Sequence, residues 1–134
     1  MLGLKLPTDP RWVNIVEKNI DQILIDHAWC EQKAATMAIT LITRFPEYPD
    51  MVREFIALAK EEMEHFAMVH ELLTERGFVL EFEKKDAYVN DLRAYSKKGG
   101  SRQNQLVEAL LVSAMIEARS CERFRLLSEE INDE

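Results

Sequence analysis

A glutamate and a histidine with two residues between them, Glu62 and His65, lie within the run 57–73. Read as a helix, this run places both side chains on one face, because residues three apart are neighbours on a helix surface. A carboxylate on an inward face needs a compensating partner, since burying an unpaired charge is costly. Glu-x-x-His on an inward helix face is typical of a dinuclear metal site in a four-helix bundle. The apolar residues that mark this face as inward recur at a spacing of 3-4-3-4-3 with the pair: Phe55, Leu58, Val69 and Leu72.

Two further carboxylates, Glu31 and Glu117, fall on the apolar stripes of two other long helical patterns, and the residues of each stripe are spaced 4-3-4-3-4-3-4. Glu122 falls on a mostly polar edge beside Arg119 and Arg125, so we favour Glu117 over Glu122 as the buried acid and keep Glu122 open. Carboxylate and imidazole ligands without paired thiolates favour iron or manganese over structural zinc. The first stripe is Ile20, Leu24, His27, Glu31, Ala34, Ala38, Leu41 and Phe45, and the second is Leu106, Leu110, Ser113, Glu117, Ser120, Phe124, Leu127 and Ile131.

The position of Glu31 along its helix depends on where that helix begins and ends. Asp9 and Pro10 suit the N-cap and the first position of a helix, and the helical pattern then runs to about Phe45. A break near Asn19 would divide it into a short and a long piece. Prolines at both ends of residues 46–49 end this helix, and Asp50 is expected to cap the next one.

The next helix carries Glu62 and ends at Gly77, which suits a left-handed C-terminal cap. Because the link between the two helices is short, they should form an antiparallel hairpin. Glu31 lies 14 residues before Phe45, and Glu62 lies 12 residues after Asp50. At about 1.5 Å per residue both carboxylates are roughly 20 Å from the same turn. The sequence therefore predicts that they meet.

Beyond Gly77 the chain holds one more long helix. Residues 78–82 alternate as a short extended connector, and residues 86–95 predict a short helix. Residues 97–102 form a flexible loop, and a helix follows from about Asn104 to Ile131. The predicted fold is therefore all-α: an up-down bundle with three long helices and short extra ones, forming a single domain over residues 1–134.

Composition excludes several classes of protein. The net charge of −7 argues against general affinity for nucleic acid through bulk charge. No apolar stretch is long enough for a membrane span or a signal peptide, so a cytoplasmic location is expected. Two cysteines, Cys30 and Cys121, are too few for a disulfide framework and are expected to be reduced core residues.

One local basic cluster departs from the acidic average. It combines cations with two tyrosines, Tyr88 and Tyr95, which suits phosphate contacts and base stacking. An ordinary solvated loop explains the same residues without any ligand. The cations are Lys84, Lys85, Arg93, Lys97, Lys98 and Arg102.

Three segments resemble one known family. Residues 24–35, 59–66 and 116–124, with the runs DHAWCE, EEMEHF and IEARSCERF, are similar to the MiaE-type tRNA hydroxylases. These are ferritin-like non-haem diiron monooxygenases. The resemblance implies hydroxylation of the isopentenyl group of 2-methylthio-N6-isopentenyladenosine beside the tRNA anticodon. It implies two iron ions, O2 as co-substrate, a tRNA anticodon stem-loop as partner and an external electron-transfer protein or reductase.

Carried over by position, the resemblance makes iron ligands of Glu31, Glu62, His65 and Glu117. Residues near them could act on the ligands instead of the metal: Asp26, His27, Arg119 and Glu122. His27, on the same stripe as Glu31, could also be a ligand itself or a plain core histidine. The family also has a second Glu-x-x-His on a fourth long helix, which the sequence up to residue 134 lacks. This lack has three possible explanations: a truncated form of a longer protein, another chain that supplies the missing helix, or an incomplete and inactive site. We favour truncation and expect an exposed apolar groove, with self-association or poor metal retention as the result.

Two other functions fit the same residues. One is a different diiron activity on this fold, either iron storage or peroxide consumption of the rubrerythrin kind. The other is a helical module without catalysis, in which the buried acids pair with Lys33 or Arg119.

Overall fold

The computed structural model describes residues 4–84 and 87–130. Within these ranges the all-α prediction and the break near Asn19 are confirmed, and no helix is long and apolar enough to cross a membrane. The described chain divides into two compact units: the hairpin unit, residues 20–84, and the terminal unit, which holds the rest. The single domain stays a prediction. The helices are α1 (Arg11–Glu17), α2 (Ile20–Arg44), α3 (Pro49–Glu75), α4 (Ala87–Tyr95) and α5 (Arg102–Glu130).

The hairpin unit begins with the two long helices α2 and α3, joined by a short turn, as predicted. The fully buried Phe45 anchors this turn. The predicted Asp50 cap is wrong, because Pro49 takes the first helical position, where its missing N–H costs nothing. Asp50 instead pairs with Arg53 one turn along the helix.

The end of α3 follows the prediction. Gly77 adopts a φ of 77°, a conformation that favours glycine. Its N–H donates to the Thr74 carbonyl at 3.0 Å, and the Phe78 N–H donates to the Leu73 carbonyl at 2.8 Å. This pair of bonds is the Schellman motif, which satisfies two carbonyls at the helix end and turns the chain back.

Small residues set the distance between α2 and α3. Ala28, Ala35 and Ala38 are at most 1% exposed, which lets the two backbones approach closely. On α3 the deeply buried leucine is Leu73, whereas the predicted Leu72 is 38% exposed. The stripe spacing averages 3.5 residues per turn against the 3.6 of a helix, so the stripe drifts around α3 towards its end.

The connector from residue 78 to residue 84 runs back along α2. Phe78 and Leu80 pack against the buried cluster of Ile25, Ala28 and Leu73. The Trp29 indole donates to the Glu81 carbonyl at 2.9 Å, and Lys33 Nζ lies 2.7 Å from Glu83 Oε1. The predicted extended connector is thus tied to α2 by both apolar and polar contacts.

The terminal unit joins the N-terminal segment to α5. Val13 and Val16 on α1 are buried, as are Leu106 and Leu127 on α5. The Arg123 guanidinium lies 5.5 Å from the centre of the Trp12 ring, a cation–π contact. These contacts hold the first helix against the last.

Candidate metal centre

The predicted pair Glu62 and His65 meets Glu31 in the hairpin unit. Among the described residues, these three side chains each offer one donor atom, and the three atoms lie within 4.8 Å of one another. His65 Nδ1 is 3.7 Å from Glu31 Oε2 and 3.6 Å from Glu62 Oε2. The prediction that the carboxylates of α2 and α3 lie at matching depth is confirmed.

These distances fit a shared cation better than direct hydrogen bonds. The contacts of His65 exceed the 2.7–3.2 Å range of an N–H···O bond. Two ligands of one metal ion, each about 2 Å from it, can be up to about 4 Å apart. Two carboxylates and one imidazole are also a donor set that suits iron or manganese. The three residues therefore fit a divalent metal ion.

The burial of this cluster favours a cation. The side chains of Glu31 and Glu62 are only 15% and 13% exposed, and that of His65 is 41% exposed. Two largely buried carboxylates repel each other and lose hydration on folding. A divalent ion between them would offset both effects, which apolar packing alone cannot do.

His27 adds a fourth polar group, one helical turn before Glu31. Its Nδ1 lies 3.2 Å from Glu31 Oε1, and its side chain is 21% exposed. Burial, reinforced by the nearby His65, lowers the pKa of His27 to about 4. The imidazole is therefore neutral at physiological pH. Asp26 is exposed at the neighbouring position, and its predicted orienting role stays a prediction.

The burial prediction for the acids of α5 is wrong. Glu117 is exposed, and Glu122 is half-buried. Glu122 accepts bonds from the Thr8 N–H at 2.8 Å and the Thr8 hydroxyl at 2.9 Å, and it pairs with Arg119. A segment 114 residues away in sequence therefore covers Glu122. Glu117 accepts a bond from the Cys121 thiol at 3.4 Å, and its role as a ligand stays a prediction.

The expected burial of the cysteines is also wrong. Cys30 and Cys121 are free thiols, as predicted, but both are exposed. Their helical patterns did not distinguish the inward face from its edge at these positions. The predicted alternative partners of the acids take other roles, since Lys33 binds Glu83 and Arg119 binds Glu122.

The contacts of Glu122 predict a pH-dependent stability. The bond from the Thr8 N–H, helped by the Thr8 hydroxyl and Arg119, lowers the pKa of Glu122 below its usual 4.5. A carboxyl with a lowered pKa in the folded state stabilises it above the unfolded-state pKa and loses this effect as pH falls. Glu122→Gln should therefore unfold at lower urea concentration than the wild type at pH 7. The difference should shrink in acid.

Glu130→Gln, at the exposed end of α5, is the matched control for this substitution. It removes the same charge without touching the bonds to Thr8 and Arg119. Equal urea midpoints for the two variants at pH 7 would contradict a stabilising role for Glu122.

The predicted basic cluster is divided between the units. In the terminal unit Arg93, Lys97, Lys98 and Arg102 are exposed, and Tyr95 is 89% exposed. Lys84 belongs to the hairpin unit, where it donates to the Gln22 side chain. Lys85 lies outside the described residues, as does the side chain of Tyr88. Their part in binding stays a prediction.

The sequence is similar to proteins of one family over nearly its whole length. Residues 2–134 match the family described as tRNA-(MS[2]IO[6]A)-hydroxylase (MiaE). A Pseudomonas putida protein described as tRNA 2-(methylsulfanyl)-N(6)-isopentenyladenosine(37) hydroxylase is 35% identical over 131 residues, covering 98% of this chain and 63% of that protein. A Salmonella typhimurium protein of the same description is 25% identical over 187 residues, covering 98% of this chain and 66% of that protein. This chain thus spans less than two thirds of either relative.

The fold matches a solved structure described as "Protein 43 with aldehyde deformylating oxygenase activity from Synechococcus". The TM-score is 0.90 and the sequence identity is 38%, over 97% of this chain and 64% of the other. The predicted ferritin-like helical fold is confirmed by this match.

Proposed function

The chain belongs to the MiaE family, and from that membership we propose that it forms the iron-binding part of a tRNA hydroxylase. The substrate would be the isopentenyl group of 2-methylthio-N6-isopentenyladenosine, which lies next to the anticodon. The observation that carries this proposal is the meeting of Glu31, Glu62 and His65 in the hairpin unit. Family membership alone would not require these side chains to converge.

Glu31, Glu62 and His65 would hold iron, with Glu117 as a further proposed ligand. Two bound iron ions would supply the reductive activation of O2, with electrons from an external protein or reductase. The carboxylates of Glu31 and Glu62 would balance the positive charge of the metal. His65 turns Nδ1 towards both carboxylates, so its lone pair on that atom would face the metal.

Apolar residues in the same hairpin as the three proposed ligands support the proposal that the substrate group is apolar. Leu24 and Phe66 pack on the buried cluster of Ile25, Ala28 and Leu73 within the same hairpin. Phe66 directly follows His65 in the sequence, so part of this apolar packing adjoins a proposed ligand. An isopentenyl group is apolar, so it would be bound by apolar side chains of this kind without hydrogen bonds.

The test of this function is the tRNA itself. Nucleosides from a strain that lacks the gene are expected to contain the isopentenyl base and none of its hydroxylated form. Returning the gene should restore the hydroxylated nucleoside in mass spectra, and returning it with Glu62→Ala should not. Hydroxylated nucleoside that persists in the deletion strain would contradict the proposal.

The exposed cations of the terminal unit are proposed to hold the tRNA. Replacing Lys97, Lys98 and Arg102 by Glu should weaken binding and reduce the slope of log affinity against log salt by about 0.7 for each phosphate that is no longer neutralised. Affinity for an anticodon stem-loop, measured across a salt series, checks this. The effect is electrostatic, so it should not depend on the sequence of the loop.

A control variant separates a local patch from net charge. Three exposed cations elsewhere, when replaced by Glu, give the chain the same net charge: Lys18, Lys60 and Arg76. This control should keep most of the salt slope. Equal slopes for the two triple variants would remove the patch from the proposed tRNA surface.

A second function is favoured by the structural match to a protein with aldehyde deformylating oxygenase activity. An aldehyde substrate would need no tRNA surface but the same metal site. Formate released from an added aldehyde, with O2 and a reductant present, would support this function. It would displace the first proposal if the deletion strain also kept its hydroxylated tRNA base.

A further inference from the structure

His27 and Glu31 lie on one face of α2, four residues apart, with their side chains in contact. Nδ1 of His27 is 3.2 Å from Oε1 of Glu31. The other oxygen of this carboxylate, Oε2, is 3.7 Å from Nδ1 of His65. The two oxygens of Glu31 therefore have different imidazole neighbours, one from its own helix and one from α3.

His27 is not placed as a metal ligand. The side chains whose donor atoms all lie within 4.8 Å of one another are Glu31, Glu62 and His65 among the described residues, and His27 is outside this set. Its contact is with Oε1 of Glu31, whereas the contact of His65 is with Oε2. Such an imidazole acts on the ligand and not on the metal.

The chemistry of the two groups decides which of them donates the hydrogen bond. A carboxylate oxygen only accepts hydrogen bonds, so the contact stabilises the structure when Nδ1 of His27 carries the hydrogen. A bond to Oε1 restricts rotation of the carboxylate and leaves Oε2 as the oxygen offered to the cluster. Groups that orient ligands in this way typically contribute 10- to 100-fold to metal affinity.

We propose that His27 is a positioning residue that holds Glu31 by a hydrogen bond from Nδ1 to Oε1, so that Oε2 faces the metal. This inference rests on the proposed metal site. It goes beyond it by assigning separate roles to the two oxygens of Glu31 and by assigning the hydrogen bond to one nitrogen of His27, Nδ1.

Three substitutions test which nitrogen matters. In His27→Asn the side-chain amide can take the place of Nδ1, in His27→Gln it takes the place of Nε2, and His27→Ala removes both. We expect the affinity for Co²⁺, followed by visible absorption, to fall roughly 10- to 100-fold in the Ala and Gln variants. The Asn variant should recover most of it. Equal losses in Asn and Ala, or no loss in Ala, would overturn the proposal.

A second measurement needs no metal and no activity. Long-range nitrogen–proton NMR spectra of the metal-free chain report which imidazole nitrogen carries the hydrogen. For His27 we expect the hydrogen on Nδ1. A hydrogen on Nε2 would overturn the proposal even if every variant folds and binds metal normally.

The two proposals fail in different ways. If the wild-type chain binds no Co²⁺ while His27 carries its hydrogen on Nδ1, the metal site is wrong and the contact with Glu31 stands. If the wild type binds Co²⁺ and His27→Ala binds it equally well, the metal site stands and the positioning role is wrong. Circular dichroism of each variant confirms that it is folded before metal is added.

Discussion

Replacing Glu62 by glutamine is expected to abolish the stabilisation that a divalent metal confers on this chain. A ligand that binds only the folded state raises the free energy of unfolding by about 2.7 kcal/mol when its free concentration is 100 times Kd. The wild type should gain this much with Fe²⁺ or Mn²⁺, and Glu62→Gln should gain little. The measurement is urea unfolding with and without metal, kept free of oxygen for iron.

Without metal, the effect of Glu62→Gln on the free energy of unfolding is expected to have the opposite sign. Glu31 and Glu62 are largely buried, and their donor atoms lie within 4.8 Å of each other, so in the metal-free chain they repel. Glu62→Gln should then be at least as stable as the wild type. The matched control is Glu61→Gln, an exposed neighbour on the same helix that should leave the metal effect intact. A full metal response in Glu62→Gln would contradict the assignment of Glu62 as a ligand.

The second large effect concerns the packing within the hairpin unit. Leu73 is fully buried at the end of α3, where it packs with Ile25 and Ala28. Leu73→Ala should lower the free energy of unfolding by about 2–5 kcal/mol, because it leaves a cavity in a packed cluster. Leu72→Ala is the control: this side chain is 38% exposed, and its removal should cost less than about 1 kcal/mol. Urea midpoints of the two variants decide between them.

Equal losses of stability for Leu72→Ala and Leu73→Ala would contradict the assignment of Leu73, and not Leu72, to the inward face of α3 near its end. A small loss for both would indicate that the cluster of Ile25, Ala28 and Leu73 contributes little. Either result would contradict the packing role assigned to Leu73 in the hairpin unit.

The hairpin and the meeting of Glu31, Glu62 and His65 could be predicted because both follow from local rules. Helical periodicity places Glu31 on one stripe, and Glu62 with His65 on another. The short proline-bounded turn then fixes the register of the two helices, so residue counts from that turn give matching heights. Nothing beyond the geometry of a straight helix is needed for this part.

Predictions that needed a continuous stripe over many turns were less accurate. Phe55 and Leu73 are 18 residues apart, which is five turns at about 3.6 residues each, so they lie on one line along α3. The 3-4 spacing instead led to Leu72. The deviation between the predicted and the observed inward residues therefore grows with distance from the starting residue. Its direction is the one expected when a stripe of 3.5 residues per turn is placed on a helix of 3.6 residues per turn.

The acids of α5 could not be ranked from their own helix. Glu122 is covered because Thr8 reaches it from the other end of the chain, with a bond of 2.8 Å from its backbone N–H. No helical pattern around residue 122 contains this information. A contact between distant segments decided the burial, and such contacts are set by tertiary packing and not by periodicity.

The hairpin arrangement has a consequence for how the site is made. Glu31, Glu62 and His65 all lie on the two helices of one hairpin, and a single tight turn brings them together. Local contacts of this kind form quickly and cost little loop entropy. The proposed metal site would thus be able to bind a cation as soon as this hairpin has formed, so metal supply during synthesis, and not only after release, would influence the yield of metal-bound protein.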